Sequence, residues 1–165
     1  MLSGIGPGIG PDGADSVRDF AGHDPALDSL EACVAFLRAK LPPLSLETGA
    51  DWRRMAALTR QPGADGCHPV WDIRIAALLR RSPPDLWPLF GTLAHVPVLL
   101  LRGEASNILL PGTVARMMAE RPDMPVVTLP GIGHAPILTE PPALAAIHTF
   151  PGHVCLGHAF PGQHA

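Results

Sequence analysis

Cysteine is scarce in this 165-residue chain, with Cys33, Cys67 and Cys155 as its whole complement. They are far apart and odd in number, so no disulfide framework is implied and reduced thiols are expected. No apolar run approaches the roughly 18 residues that a membrane span needs. The opening MLSGIGPGIGPDG has neither the basic nor the apolar stretch of a secretory signal. The expectation is a cytoplasmic protein with no membrane partner. Neither sign of charge dominates, since 12 Lys and Arg face 15 Asp and Glu, for a formal net charge of −3. Such a chain has no field for gathering phosphates, and no nucleic-acid partner is expected. Its 20 prolines and 17 glycines interrupt regular structure often, yet 47% of the residues are hydrophobic. That is too apolar for a solvated disordered polymer. The length suits one ordinary domain or half of a larger one.

The glycines of GIGPGIGPDG alternate, but no strand precedes them and prolines remove amides that a phosphate would require. Residues 1–27 therefore read as an irregular lead-in loop. From Asp28, the segment DSLEACVAFLRAKL puts Leu30, Cys33, Val34, Leu37 and Leu41 on one helical face. Asp28 and Glu31 have the spacing of a capping box, and Pro42 and Pro43 stop the helix. A second helix is expected over Ala50–Arg60, with Trp52, Met55 and Ala56 on one face and QPGADG ending it. A third is expected over Trp71–Arg81. A fourth opens with Ser82 as N-cap and Pro83 in its first turn, burying Leu86, Trp87, Leu89, Phe90 and Leu93. Residues 28–95 thus read as helices and loops only, a cap-like region.

The character changes at Val96, where PVLLLRG is a continuous apolar run closed by glycine, the pattern of a strand covered on both faces. GTVARMMAERP supplies a helix, PVVTL a second buried strand, GIGHAP a loop and PPALAAIHTF a final helix. Residues 96–150 are β-α-β-α. A right-handed parallel unit places its two post-strand loops, 102–107 and 131–136, side by side. The tail, residues 151–165, departs from this periodicity and reads as irregular. Cys155 and His158, with His153 and His164 nearby, offer one thiolate and no second cluster, which does not make a zinc site. No metal and no other cofactor is expected.

The residue that carries chemistry is His134, in a glycine-flanked loop between a buried strand and a helix. Gly131 and Gly133 let the backbone turn sharply and leave the imidazole at the sheet edge, where a general base has to sit. Pattern alone favours a structural, hydrogen-bonding histidine over a catalytic one.

The blocks VPVLLLRGEASNILL and VVTLPGIGHAPILTEPPALAAIHTF, together with the helical stretch after LSGIGPGIGPDG, resemble the C-terminal portion of the α/β-hydrolase fold family. The resemblance covers roughly residues 2–150. It implies an α/β fold of parallel strands with flanking helices plus a helical lid over residues 28–95. It also implies a hydrolase in which a serine attacks a small ester-like substrate, a histidine removes the serine proton and an acid holds the histidine. His134 matches the histidine. Asn107 matches the usual acid, and an amide there orients an imidazole without stabilising its cation. Glu104 is a minor alternative, more in keeping with a structural partner for backbone or arginine. Some relatives instead carry an aspartate where this chain has Ser3 and Gly4. Trp52, Met55, Trp71 and Trp87 are expected to pack the lid.

No G-x-S-x-G and no HGG-type oxyanion loop occurs among the 165 residues, and none of Ser3, Ser16, Ser29, Ser45, Ser82 and Ser106 has an elbow context. Relatives carry both upstream of the lid. The expectation is therefore the later half of a hydrolase, truncated or split, with a possible change of reading frame near Pro151, and weakly active or inactive as it stands. The alternative is a non-catalytic binding module or a fragment that needs a partner half. A half-sheet would expose an edge through which copies could self-associate.

Overall fold

The computed structural model describes residues 1–78 and 85–155, with side chains through Phe150. Its centre is a parallel sheet of three strands in the order β1-β4-β5: β1 is Leu2–Ser3, β4 is Leu100–Gly103 and β5 is Val126–Leu129. Leu100 to Gly103 pair in register with Val126 to Leu129, and Leu2 and Ser3 pair with Leu100 and Leu101. All four residues of β4 are buried, as a strand covered on both faces requires. On one face Leu100 packs with Leu109, Val114 and Met117, which brings helix α6 (Pro111–Glu120) against the sheet. On the other, Leu99 and Leu101 pack with Leu129 and Ala143 of helix α7 (Pro141–Cys155). Each such leucine contributes about 1.5–3 kcal/mol by leaving water. The β-α-β-α unit expected over 96–150 is present.

Ahead of it, α1 (Pro11–Ala21), α2 (Leu30–Lys40) and α3 (Gly49–Thr59) are followed by an antiparallel hairpin of β2 (Arg60–Gly63) and β3 (Gly66–Pro69), then α4 (Ile75–Leu78) and α5 (Trp87–Gly91). Cys33, Leu37, Trp52 and Ala56 form a separate buried cluster, with Phe20, Phe36 and Cys67 packed on it. Cys33 and Cys67 thus meet although 34 positions separate them, and burial followed by the neighbouring Cys67 pushes the Cys33 thiol above its ordinary pKa.

The structure corrects several expectations. Residues 1–27 are not an irregular loop. They hold β1 and α1, whose Gly10 N-cap and Pro11 open a helix that the glycines concealed. Gly13 is inside that helix because any Cβ there would lie 2.4 Å from the backbone oxygen of Asn107. The region before His95 is not helical only, for the hairpin begins at Arg60. With Arg60 buried and its next three residues exposed, β2 lacks the alternation that announces a strand. The cap of α2 is Ser29, whose Oγ accepts from the Ala32 N–H at 3.1 Å, not Asp28. The third expected helix is observed only over Ile75–Leu78, and Leu79–Arg81, Ser82 and Pro83 lie outside the described residues. Phe90, Trp87 and Leu93 pack on the sheet cluster instead of the cap. The backbone of α7 stays helical through Pro151 and Gly152 to Cys155, against the irregular tail expected from 151. A proline removes one ladder bond, and the preceding turns, fixed on β5 through Ala143, Ile147 and Phe150, carry the helix past it. The side chains of His153 and Cys155, and all of His158 and His164, lie outside the described residues.

Candidate functional site

The loops after β4 and β5 lie against one another. The Ala105 N–H donates to Ile132 O at 2.8 Å. A Cβ on Gly103 would fall 2.3 Å from Gly133 O, so only glycine permits this approach. Glu104 joins the loops, its Oε2 accepting from the Gly131 N–H at 3.0 Å, while Gly131 takes φ +68. The post-β4 loop is shaped from within by buried polar side chains. Arg102 Nε donates to Leu109 O at 2.8 Å and Nη2 to Glu104 O at 3.0 Å. Ser106 Oγ accepts from the N–H groups of Ile108 and Leu109. The Glu104 carboxylate therefore has the backbone partner that its position suggested, while Arg102 meets its main-chain oxygen and not the carboxylate.

His134 follows on the post-β5 loop and is half-buried. Its Nδ1 lies 3.0 Å from the carbonyl oxygen of Gly4, just beyond β1. A carbonyl only accepts, so Nδ1 carries the proton and the neutral ring leaves Nε2 with its lone pair, the form a general base needs. Burial holds the imidazole below its ordinary pKa of 6.5, and the hydrogen bond to Gly4 offsets part of that. The base form is thus populated at neutral pH.

Asn107 is exposed, and among the described residues no hydrogen bond joins its side chain to His134. Its backbone oxygen abuts Gly10 and Gly13 instead. The structure brings His134 to Gly4, not to Asn107. The sequence flagged position 4 only as a place where some relatives carry an acid. A glycine has no side chain to attract notice.

The stretch after α2 closes on this loop. The Gly133 N–H donates to Pro43 O at 2.7 Å. Buried Glu140 accepts on Oε1 from Ser45 Oγ at 2.7 Å and from the Ile137 N–H at 3.1 Å. Between α3 and the loop is a cavity of about 540 Å³ lined by Ser45, Met55, Leu58, Ile137 and Thr139 among others. Of the cap aromatics, Trp52 Nε1 donates to Leu46 O and Trp71 Nε1 to Ala21 O, both as packed structural side chains. A larger cavity, about 900 Å³, lies where the chain enters β4 and β5, at the opposite end of the strands from His134. Among the described residues no group of His, Cys, Asp and Glu could hold a metal ion, and no helix is long and apolar enough to cross a membrane.

No family model matches the chain. Among curated proteins it is 29% identical over 162 residues to a 3-hydroxybutyrate-oligomer hydrolase of Cupriavidus necator, covering 91% of this chain and 55% of that one. It is 31% identical over 109 residues to a 2-(acetamidomethylene)succinate hydrolase of Mesorhizobium japonicum, covering 65% and 37%. The chain therefore spans about half, or less, of the length of these relatives. A crystal structure of an α/β hydrolase from Novosphingobium aromaticivorans matches with a TM-score of 0.79 at 35% identity, over 90% of this chain and 54% of that one. The crystal structure of E-2-(acetamidomethylene)succinate hydrolase matches with a TM-score of 0.72 at 26% identity, over 90% and 55%.

Proposed function

The chain belongs to the α/β-hydrolase fold family, and from that premise we propose that it supplies the histidine side of a serine-hydrolase site. In this reading His134 Nε2 accepts the proton of a serine carried by residues outside these 165, as that serine attacks the carbonyl of a small ester-like substrate. The same nitrogen returns the proton to the leaving group. The observation that carries it is the Nδ1–H donated to Gly4 O, which leaves Nε2 unprotonated in a half-buried ring beside the two strand loops. The substrate class is supported by the similarity over nearly the whole chain to a hydrolase named for 3-hydroxybutyrate oligomers.

The 165 residues alone are then weakly active or inactive, and β1 and β5, each paired on one side only among the described residues, are the edges through which a further strand or a second copy would add. A cytoplasmic location belongs to the same reading, supported by the free thiols of Cys33 and Cys67 in one apolar cluster. A non-catalytic binding module is the second reading, favoured by Asn107 and Gly4 where a carboxylate is expected.

The experiment is fluorophosphonate labelling with mass spectrometry, beside turnover of a short-chain p-nitrophenyl ester by the wild-type chain and by His134→Ala. The expected result is no labelled serine and equal, slow turnover. A label on any of the six serines, lost in His134→Ala, would place the nucleophile inside the chain and overturn this reading.

A further inference from the structure

We propose that Cys33 and Cys67 form a redox-modification site: a small-molecule disulfide converts the two thiols into a reversible link between α2 and the hairpin, beside the Arg60 guanidinium. The inference is independent of the reading of His134.

Three observations carry it. First, backbone brings the two cysteines together. Cys67 on β3 faces Leu27 in a two-bond bridge: its N–H donates to Leu27 O at 2.6 Å, and its carbonyl accepts from the Leu27 N–H at 3.3 Å. Two residues beyond Leu27, the carbonyl of Ser29 accepts from the Cys33 N–H at 3.0 Å in the first turn of α2. Both side chains then enter one apolar cluster with Leu37, Trp52 and Ala56. Burial, and after it the adjoining Cys67 with its charge and hydrogen bond, raise the Cys33 thiol. Second, the two differ in access. Cys33 has 0% exposure, whereas Cys67 is half-buried. A reagent in solution therefore meets Cys67 first, and Cys33 reacts with what Cys67 has captured. Third, Arg60 is a cation with nothing to hold. It is 5% exposed, lies over Phe36 at 4.7 Å and Trp71 at 5.8 Å, and none of its three guanidinium nitrogens has a hydrogen-bond partner among the described residues. Its charge acts on Cys33 and favours the thiolate. The Asp24 carboxylate, also within its field, is engaged by His68. A buried cation left unpaired is costly, and a thiolate at Cys33 is an anion that this one stabilises.

The step balances with a disulfide of the glutathione class, RSSR. The Cys67 thiolate attacks one sulfur, the S–S bond breaks, and the departing RS⁻ takes up the proton that Cys67 lost. The Cys33 thiolate then attacks the Cys67 sulfur and expels the second RS⁻, which takes the proton from Cys33. Two thiols are oxidised and one RSSR is reduced to two RSH. In a reducing compartment the pair stays as thiols and closes when the share of RSSR rises. The link fastens the hairpin to α2, the helix ahead of Pro43, whose carbonyl accepts from the Gly133 N–H beside His134.

The test is treatment of the whole chain with oxidised glutathione, then acid quenching, alkylation in urea and mass spectrometry of unreduced peptides. The expected product is a monomer with one bond between Cys33 and Cys67, reopened by dithiothreitol. Cys33→Ser should stop at glutathione on Cys67, and Cys67→Ser should leave Cys33 free. Arg60→Met should close the mixed disulfide about tenfold more slowly at neutral pH, the effect of one unit of thiol pKa, and Arg60→Lys should restore the rate. A main product bonded through Cys155 or between copies, or Cys33 and Cys67 both still open to alkylation, would overturn the inference. If the serine variants do not fold, the wild-type peptides decide it. Equal closure in Arg60→Met and the wild type would remove Arg60 from the site.

Discussion

The region of α2, α3 and the hairpin, named the cap only for its place ahead of β4, and the sheet each hold one histidine in a fixed pose, and they do so with opposite chemistry. In the cap, His68 on β3 lies between two carboxylates, with Nδ1 at 2.8 Å from Asp24 and Nε2 at 2.9 Å from Asp65. Beside the sheet, His134 meets only a neutral carbonyl. The contrast extends to the rest of each region. Sheet and loops are joined by backbone ladders over fully buried leucines, and the buried Arg102 and Ser106 serve loop backbone. The cap surrounds a smaller apolar cluster and, outside the backbone ladder of its hairpin, is stitched by side chains. Its buried Arg60 guanidinium stacks on Phe36 at 4.7 Å and Trp71 at 5.8 Å, with no hydrogen-bond partner among the described residues. A region held by backbone keeps its geometry when one side chain or one proton changes. A region held by side chains shifts with each.

The largest test of that difference is a pair of equal deletions. Leu101→Ala on β4 and Leu37→Ala on α2 each remove a side chain with 0% exposure. Such changes cost about 2–5 kcal/mol, depending on how far the surroundings collapse. Leu101 lies on a strand whose backbone ladder to β5 keeps it from closing on the gap, and it should fall at the upper end. Leu37 has half-buried neighbours in Val34, Phe36 and Leu41 that are free to move in, and should fall at the lower. Urea midpoints measure both, and a cap deletion as costly as the sheet deletion would break the comparison. A smaller effect sharpens it. Arg102→Met removes two charged hydrogen bonds to loop carbonyls, worth roughly 1.5–3 kcal/mol each before relaxation. It should free the loop carrying Glu104 while leaving the hairpin 60–69 as protected from hydrogen exchange as before. Faster exchange in the hairpin would show that the two regions are not independent.

Two of the sheet's three strands and helices α2 and α3 were legible in the sequence, while β1, α1 and the hairpin were not, for physical reasons visible residue by residue. Leu99 to Leu101 announce a buried parallel strand because both faces are covered, and composition alone records that. Helices α2 and α3 were legible through their apolar stripes and the prolines and glycines around them. The hairpin was not, since Gln61 and Pro62 are exposed and its pairing rests on backbone and on Gly66, whose Cβ would meet Leu27 O at 2.8 Å. Helix α1 was hidden by Gly13, which is there because a distant loop presses on it. In the site, His134 stood out through its glycines. Its partner at position 4 did not, because a main-chain carbonyl leaves no trace in residue identity.

The last prediction sets the two histidines against each other with pH. The hydrogen bonds that His68 donates to Asp24 and Asp65 raise its pKa above 6.5. Burial pushes the Asp24 carboxyl up, but His68 and the Ala26 N–H outweigh it and hold it below the ordinary value, so Asp24 is ionised throughout this range. A raised histidine contributes stability that is complete below its unfolded pKa near 6.5 and fades as pH climbs through the higher folded value. Asp65 and the Arg60 cation are the other charges around it. His134 has its pKa lowered, chiefly by burial, so the native state binds fewer protons than the unfolded chain. Its penalty is absent above about 6.5 and grows as pH falls toward the lower folded value. The cap should therefore loosen on the alkaline side and the sheet loops on the acid side. Hydrogen exchange, corrected for its intrinsic pH dependence, should show protection of residues 60–69 falling from pH 6 to 8.5 while that of 131–136 rises from pH 5 to 7. His68→Asn should flatten the first trend alone and His134→Ala the second alone. Both segments responding in the same direction would mean that one set of contacts holds cap and sheet together.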